Sequence, residues 1–180
     1  MYQIRIHGRG GQGVVTASEL IAIAAFEDGM NAQAFPSFGV ERTGAPIEAY
    51  TRIDKKFIRT REHIYNPDVL IILDPTLPEV SDVIHGCNLK TKVIINTAKD
   101  KKDLPIDLPP SNIYTVDATK IALEIFGKNI ANTTILGAFA KDTKMISLEG
   151  LKKAIKQKFE KKGKSIIDKN IKAVEKAYNF

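Results

Sequence analysis

The 180-residue sequence predicts an α/β fold, a doubly wound and mostly parallel sheet with helices on both faces. Three observations carry that expectation. A glycine-rich loop, Gly8-Arg9-Gly10-Gly11-Gln12-Gly13, stands between a short alternating run at 2–7 and a long apolar stretch at 14–26. A continuous apolar run at 69–73 has the character of a strand buried on both faces, as parallel strands are, and 92–96 reads as the next buried strand. Strand-like and helix-like segments also alternate along the chain through short connections, the pattern of a Rossmann-like sheet that binds ligands beyond the carboxyl ends of its strands.

In chain order, the first strand covers 2–7 and the first helix 11–28, with Gly29 placed to end it in a left-handed cap. A second strand at 31–35 leads into residues 36–46, a loop whose length predicts a functional role. Residues 47–53 alternate as a strand, Asp54-Lys55-Lys56 turn, and Phe57-Ile58 begin a short return strand. After the strand at 69–73, Asp74 as N-cap and Pro75 at the first helical position predict a helix over 76–84. Strands at 92–96 and 112–116 follow, then a helix capped by Asp117 and running through Phe126. A helix at 132–141 carries Gly137, Ala138 and Ala140, small enough to let it lie tightly against the sheet. The remainder is a lysine-faced helical tail broken at Gly163.

With 43% hydrophobic residues the chain can bury a full core, and residues 1–180 are expected to form a single domain. No 18-residue apolar run occurs and the first strand begins after one residue, so no membrane span or signal peptide is expected and the predicted location is cytoplasmic. A lone cysteine, Cys87, excludes an internal disulfide and a cysteine-ligated iron–sulfur cluster within this chain, and reads as a small buried hydrophobe. His7, His63 and His85 lack any metal-ligand spacing, so no metal site is expected. The net charge of +6 resides in the tail, where residues 147–180 hold ten lysines against four acids while the rest is balanced at 17 and 17. Apolar residues interleave those lysines at helical spacing, the pattern of a solvated face, with a docking face for an acidic protein as the minority reading. No arginine follows Arg61 and no nucleic-acid-binding motif is present, so no nucleic-acid partner is expected.

Gly8, Gly10 and Gly13 fit G-x-G-x-x-G, in which glycines permit a tight turn, close approach of backbone to a pyrophosphate and close packing of helix on strand. The helix that follows directs unpaired N–H groups at the anion. A nicotinamide dinucleotide site also needs an acidic residue at the end of the second strand, but Asn31-Ala32-Gln33-Ala34-Phe35-Pro36 contains none. Phosphate binding is therefore predicted without a ribose clamp, and a free-standing flavin or nicotinamide oxidoreductase is the weaker alternative.

Two segments, Ile6-His7-Gly8-Arg9-Gly10-Gly11-Gln12-Gly13 and Phe35-Pro36-Ser37-Phe38-Gly39-Val40-Glu41-Arg42-Thr43-Gly44-Ala45-Pro46, together resemble the gamma subunits of pyruvate:ferredoxin oxidoreductase and its 2-oxoacid:ferredoxin oxidoreductase family. The likeness extends over the whole chain, including Asn132-Thr133-Thr134 at the start of a late helix. It implies a subunit of a pyruvate synthase that decarboxylates pyruvate oxidatively to acetyl-CoA and reduces ferredoxin. Branched-chain 2-oxoacid, 2-oxoglutarate and indolepyruvate enzymes use the same subunit type. It further implies that thiamine diphosphate, Mg and iron–sulfur clusters reside in alpha, beta and delta-type partner subunits. This chain would supply no catalytic residue and would instead help bind coenzyme A. The site that the resemblance implies comprises Gly8, Arg9, Gly10, Gly11, Gln12, Gly13, Ser37, Glu41, Arg42, Thr43, Gly44 and Asn132. Arg9 and Arg42 would fork onto phosphate oxygens, a task suited to arginine's fixed paired donors. Ser37, Thr43 and Asn132 would add short donors, and Glu41 would either orient Arg42 or face another subunit.

Overall fold

A computed structural model describes residues 1–37 and 43–180 of the chain. Strands β1 (Tyr2–Arg9), β2 (Asn31–Pro36), β3 (Pro46–Asp54), β4 (Val69–Ile72), β5 (Lys92–Asn96) and β6 (Ile113–Val116) form one sheet in the order β2-β3-β1-β4-β5-β6. The pairs β1–β4, β4–β5 and β5–β6 are parallel, while β3 runs antiparallel to both its neighbours. The helices are α1 (Val14–Glu27), α2 (Leu77–Val80), α3 (Ala118–Phe126), α4 (Ala131–Thr143), α5 (Leu148–Phe159) and α6 (Lys164–Tyr178).

Alternation along the strands explains the two cores. Val69 and Ile71 of β4 join Ile4, Ile6 and Ile94 in the large cluster beneath α1, α4, α5 and α6, whereas Leu70 and Ile72 join Val93 and Ile95 in a smaller cluster on the other face. A run of apolar residues with no polar interruption is what a strand covered on both sides requires. Near the second face, buried Arg5 of β1 acts as a rivet. Its guanidinium donates to the carbonyls of Ile64 and Tyr65, each at 3.4 Å, of Val83 at 2.9 Å and of His85 at 2.6 Å.

Three expectations are corrected. The helix expected over 76–84 is a single turn, α2: Ser81 is extended, Val80 is exposed, and the carbonyls of Val83 and His85 are engaged by Arg5 instead of by a helical ladder. Phe57-Ile58 form no strand, and the Phe57 side chain is exposed, so no buried face holds that segment in a ladder. Gly137 serves helix-on-helix packing and not helix-on-sheet packing. A Cβ there would run into the Val174 carbonyl of α6. The lysine-rich tail thus packs inward through Ala173, Val174 and Ala177, all buried against the large core.

Candidate functional site

The glycine loop occupies the carboxyl end of β1, and Gly13 enters α1 with a left-handed backbone, φ 78°. A Cβ at Gly13 would collide with the Asn132 side chain, which donates from Nδ2 to the Gly13 carbonyl at 3.3 Å. The sequence-expected Asn132 therefore does lie against the loop, 119 residues away in the chain. The first intrahelical bond of α1 runs from the Ala17 amide to the Gly13 carbonyl. That leaves the amides of Val14, Val15 and Thr16 without helical acceptors, and neither a capping side chain nor an acidic residue occupies the first turn. The unpaired amides and the positive end of the helix dipole suit an anion.

The two motif segments meet through backbone. Gly10 and Thr43 form a parallel bridge, the Gly10 amide donates to the Ala45 carbonyl at 2.9 Å, and the Gly44 amide donates to the Gly10 carbonyl at 3.1 Å. A cleft of about 420 Å³ opens between them, lined by Gly10, Gly11, Gly13, Val14, Val15, Thr16, Thr43 and Ile47. Ser37 lies outside that lining, and its amide donates to the Glu48 carbonyl at 3.0 Å as a continuation of the β2–β3 ladder. Glu41 and Arg42 lie outside the described residues.

Arg9 has other work than the sequence suggested. Its Nε donates to Asp74 Oδ2 at 3.1 Å, one terminal nitrogen donates to the Gly44 carbonyl at 3.2 Å, and the other donates to Thr76 Oγ1 at 2.8 Å. Gln12 accepts from the Arg9 amide at 2.7 Å and donates to Asp74 Oδ2 at 2.8 Å. The other Asp74 oxygen accepts from the Thr76 amide at 3.0 Å and the Thr76 hydroxyl at 2.6 Å. Asp74 is thus the hub that fixes the shape of the loop, a role other than the N-cap expected of it, since the N-cap of α2 is Thr76 and no side chain caps that helix. Burial pushes its carboxyl up, but the hydrogen bonds from Thr76 and Gln12 and the charge of Arg9 prevail and hold it below the ordinary carboxylate range. Its position at the carboxyl end of β4, beside β1, was the available signal, since that is where parallel sheets place functional groups. Thr16 and Ile47 also line the cleft without having been singled out, and nothing in their residue types marks them.

The neighbourhood is poor in reactive groups. Cys87 is half-buried against the smaller core, and burial pushes its thiol up, so it stays protonated at neutral pH as a small hydrophobe. Among the described residues no group of three His, Cys, Asp or Glu side chains is arranged to hold a metal ion. Among the described residues the lining of the cleft offers backbone amides, the hydroxyls of Thr16 and Thr43, and shape, with no cysteine, histidine, lysine or carboxylate.

The family model of pyruvate ferredoxin/flavodoxin oxidoreductase matches residues 3–180. The chain belongs to that family. Within it, the chain is 52% identical over 179 residues to the pyruvate synthase subunit PorC of Methanocaldococcus jannaschii, covering 99% of this chain and 96% of the relative. It is 50% identical over 181 residues to the pyruvate/ketoisovalerate oxidoreductases common subunit gamma of Thermococcus kodakarensis, with the same coverage. The crystal structure of pyruvate oxidoreductase subunit PORC from Thermotoga maritima superimposes with a TM-score of 0.83 at 37% identity, over 99% of this chain and 95% of that one. The resemblance of the two motif segments is borne out at family level, and the α/β architecture recurs in a solved family member. No helix among the described residues is long and apolar enough to cross a membrane.

Proposed function

We propose that this chain is the gamma-type subunit of a multi-subunit 2-oxoacid:ferredoxin oxidoreductase of the pyruvate synthase kind, and that its glycine-loop cleft holds the pyrophosphate of coenzyme A. The names of its full-length relatives support the first part. The second rests on one observation: the glycine loop and residues 43–45 are bridged by backbone at the uncapped start of α1, leaving a cleft with three unpaired amides. A pyrophosphate fits that donor set because it needs many acceptor contacts and no acidic ribose partner. Arg42, four residues before Pro46, is the cation proposed to close over the phosphates, while Arg9 braces the cradle from behind.

In this reading the chain breaks no bond of the substrate. Thiamine diphosphate, Mg and iron–sulfur clusters belong to alpha, beta and delta-type partners in the cytoplasm, and ferredoxin accepts the electrons. Thiamine diphosphate supplies the carbanion chemistry of decarboxylation. What this chain contributes is position: the fixed nucleotide end confines the coenzyme's thiol near the acyl group and keeps competing water out. Confinement of this kind is worth up to roughly 7 kcal/mol or more of barrier when alignment is good. The pyruvate- and ketoisovalerate-linked names of the relatives agree with substrate choice being made in other subunits.

Thr16→Glu in the assembled enzyme tests the cleft. A carboxylate at the third helical position favours α1, because the helix dipole attracts it, yet it repels a phosphate at the same amides. The KM for coenzyme A is expected to rise roughly tenfold, the loss of about 1.4 kcal/mol, while thermal stability holds or increases. An unchanged KM in a stable, assembled variant overturns the proposed site.

A further inference from the structure

Between β3 and β4 the chain has no helix or strand of its own, yet its backbone is held against the sheet. Ala49 and Ile53 of β3 point into the large core, which directs Tyr50 and Arg52 to the opposite face. There Arg52, 1% exposed, donates to the carbonyls of Glu62 and His63, and Arg5 donates to those of Ile64 and Tyr65. The start of the segment is tied as well: Asn31 Nδ2 donates to the Lys55 carbonyl at 3.1 Å, and the Lys56 amide donates to Asp54 Oδ1 at 2.9 Å. Residues 55–66 thus form a strap whose main chain is anchored at both ends while most of its side chains stay outside.

Those side chains are unlike the rest of the surface. Phe57 is 78% exposed and Tyr65 63%. Ring centroids lie 5.1 Å apart for Tyr50 and His63 and 6.4 Å apart for His63 and Tyr65, so Tyr65 ends an aromatic ladder that rests on the sheet. Of the described arginines, Arg5, Arg9 and Arg52 are each bonded into the fold. Arg59 and Arg61 are exposed, both on the strap. With Lys55 and Lys56 they set four cations against one acid, Glu62, in residues 55–66. Among the described residues none of the four has a carboxylate within salt-bridge distance, and the adjacent Asp54 is taken by the N-terminal ammonium at 3.0 Å. The tail lysines Lys152, Lys153, Lys158 and Lys176 meet glutamates instead.

We infer that the strap is a docking surface for a carboxylate-rich face of another subunit of the enzyme. Arginine forks match carboxylates in pairs, and exposed aromatics beside arginine are the residue types that anchor protein interfaces. An anchored backbone lowers the entropy lost when such side chains are ordered by a partner. A second copy of this chain fits poorly, because a two-fold axis would bring the four cations against themselves. The inference rests on the multi-subunit reading given above and adds to it which surface of this chain is covered and by what chemistry.

The test uses the co-purified enzyme. Arg59→Glu combined with Arg61→Glu is expected to leave thermal unfolding of the chain unchanged and, in mass photometry of the diluted complex, to release this chain at a roughly hundredfold higher concentration than wild type. Arg59→Lys with Arg61→Lys, which keeps the charge and loses the forks, is expected to fall between the two. In wild type, acetylation of Lys55 and Lys56 by acetic anhydride, read by peptide mass spectrometry, is expected to be slower in the complex than in the free chain. Release of the charge-reversed chain at the wild-type concentration overturns the assignment, as do equal acetylation rates in complex and free chain. A variant that assembles normally but loses self-association, or loses binding to a single-stranded DNA probe, gives the strap to a second copy or to nucleic acid and overturns it too. If the wild-type chain co-purifies with no other subunit, the multi-subunit reading fails; a complex that forms and ignores the reversal defeats the surface alone.

Discussion

At Asp74 four hydrogen bonds converge on one carboxylate from Arg9, Gln12 and Thr76, and at His7 the opposite occurs: a buried imidazole leaves its Nε2 without a partner and has one carboxylate, Glu48, near its Nδ1. Burial drives His7 down to about 4, against the pull of Glu48, whose carboxylate lies 3.6 Å from Nδ1, and with a smaller push in the same direction from Arg5. The folded state therefore binds fewer protons at this residue than the unfolded chain between about pH 4 and pH 6.5. Stability contributed by neutral His7 is complete above pH 6.5 and is lost as pH falls through that window, by about 3 kcal/mol in all. Urea unfolding at a series of pH values should show this slope in wild type and a flatter profile in His7→Gln; equal slopes would sink the assignment. Residue chemistry was only half legible in the sequence. The glycines, Asn132 and Thr43 could be grouped through two motifs, but the commitment of Arg9 to Asp74 depends on β1 and β4 being neighbours, which no local pattern states.

Some elements with a local signal were read correctly, whereas the Asp74-Pro75 signal overstated α2 and features that depend on a partner were missed. Asp117 accepts from the Lys120 amide at 2.8 Å and caps α3 as its residue type predicts, and β5 spans the expected residues. The insertion of β3 between β2 and β1 is written nowhere in the periodicity of β3, because an alternating strand reads alike whichever neighbour it joins. Helix α4 shows the same limit at Gly137: a small residue announces close approach, but to α6 and not to the sheet. Gly137→Ala should destabilise the chain by about 3 kcal/mol, since the new methyl meets backbone of Val174 that cannot rotate away. Thermal unfolding is the measurement. A Tm equal to that of wild type would show that α4 and α6 are not packed as described.

For the whole molecule, the sheet brings the carboxyl end of β1, residues 43–45 and the starts of α1 and α4 to one end, and it is there that amides are left unpaired. The helical tail completes the core beneath. The unpaired amides gathered at that end accord with the proposed role of positioning a carrier for chemistry done by partner subunits. Hydrogen exchange on the assembled enzyme with and without coenzyme A bears most directly on that claim. The account predicts that coenzyme A slows exchange at the amides of Val14, Val15 and Thr16. Protection confined to partner subunits, with those three amides exchanging as before, would contradict it.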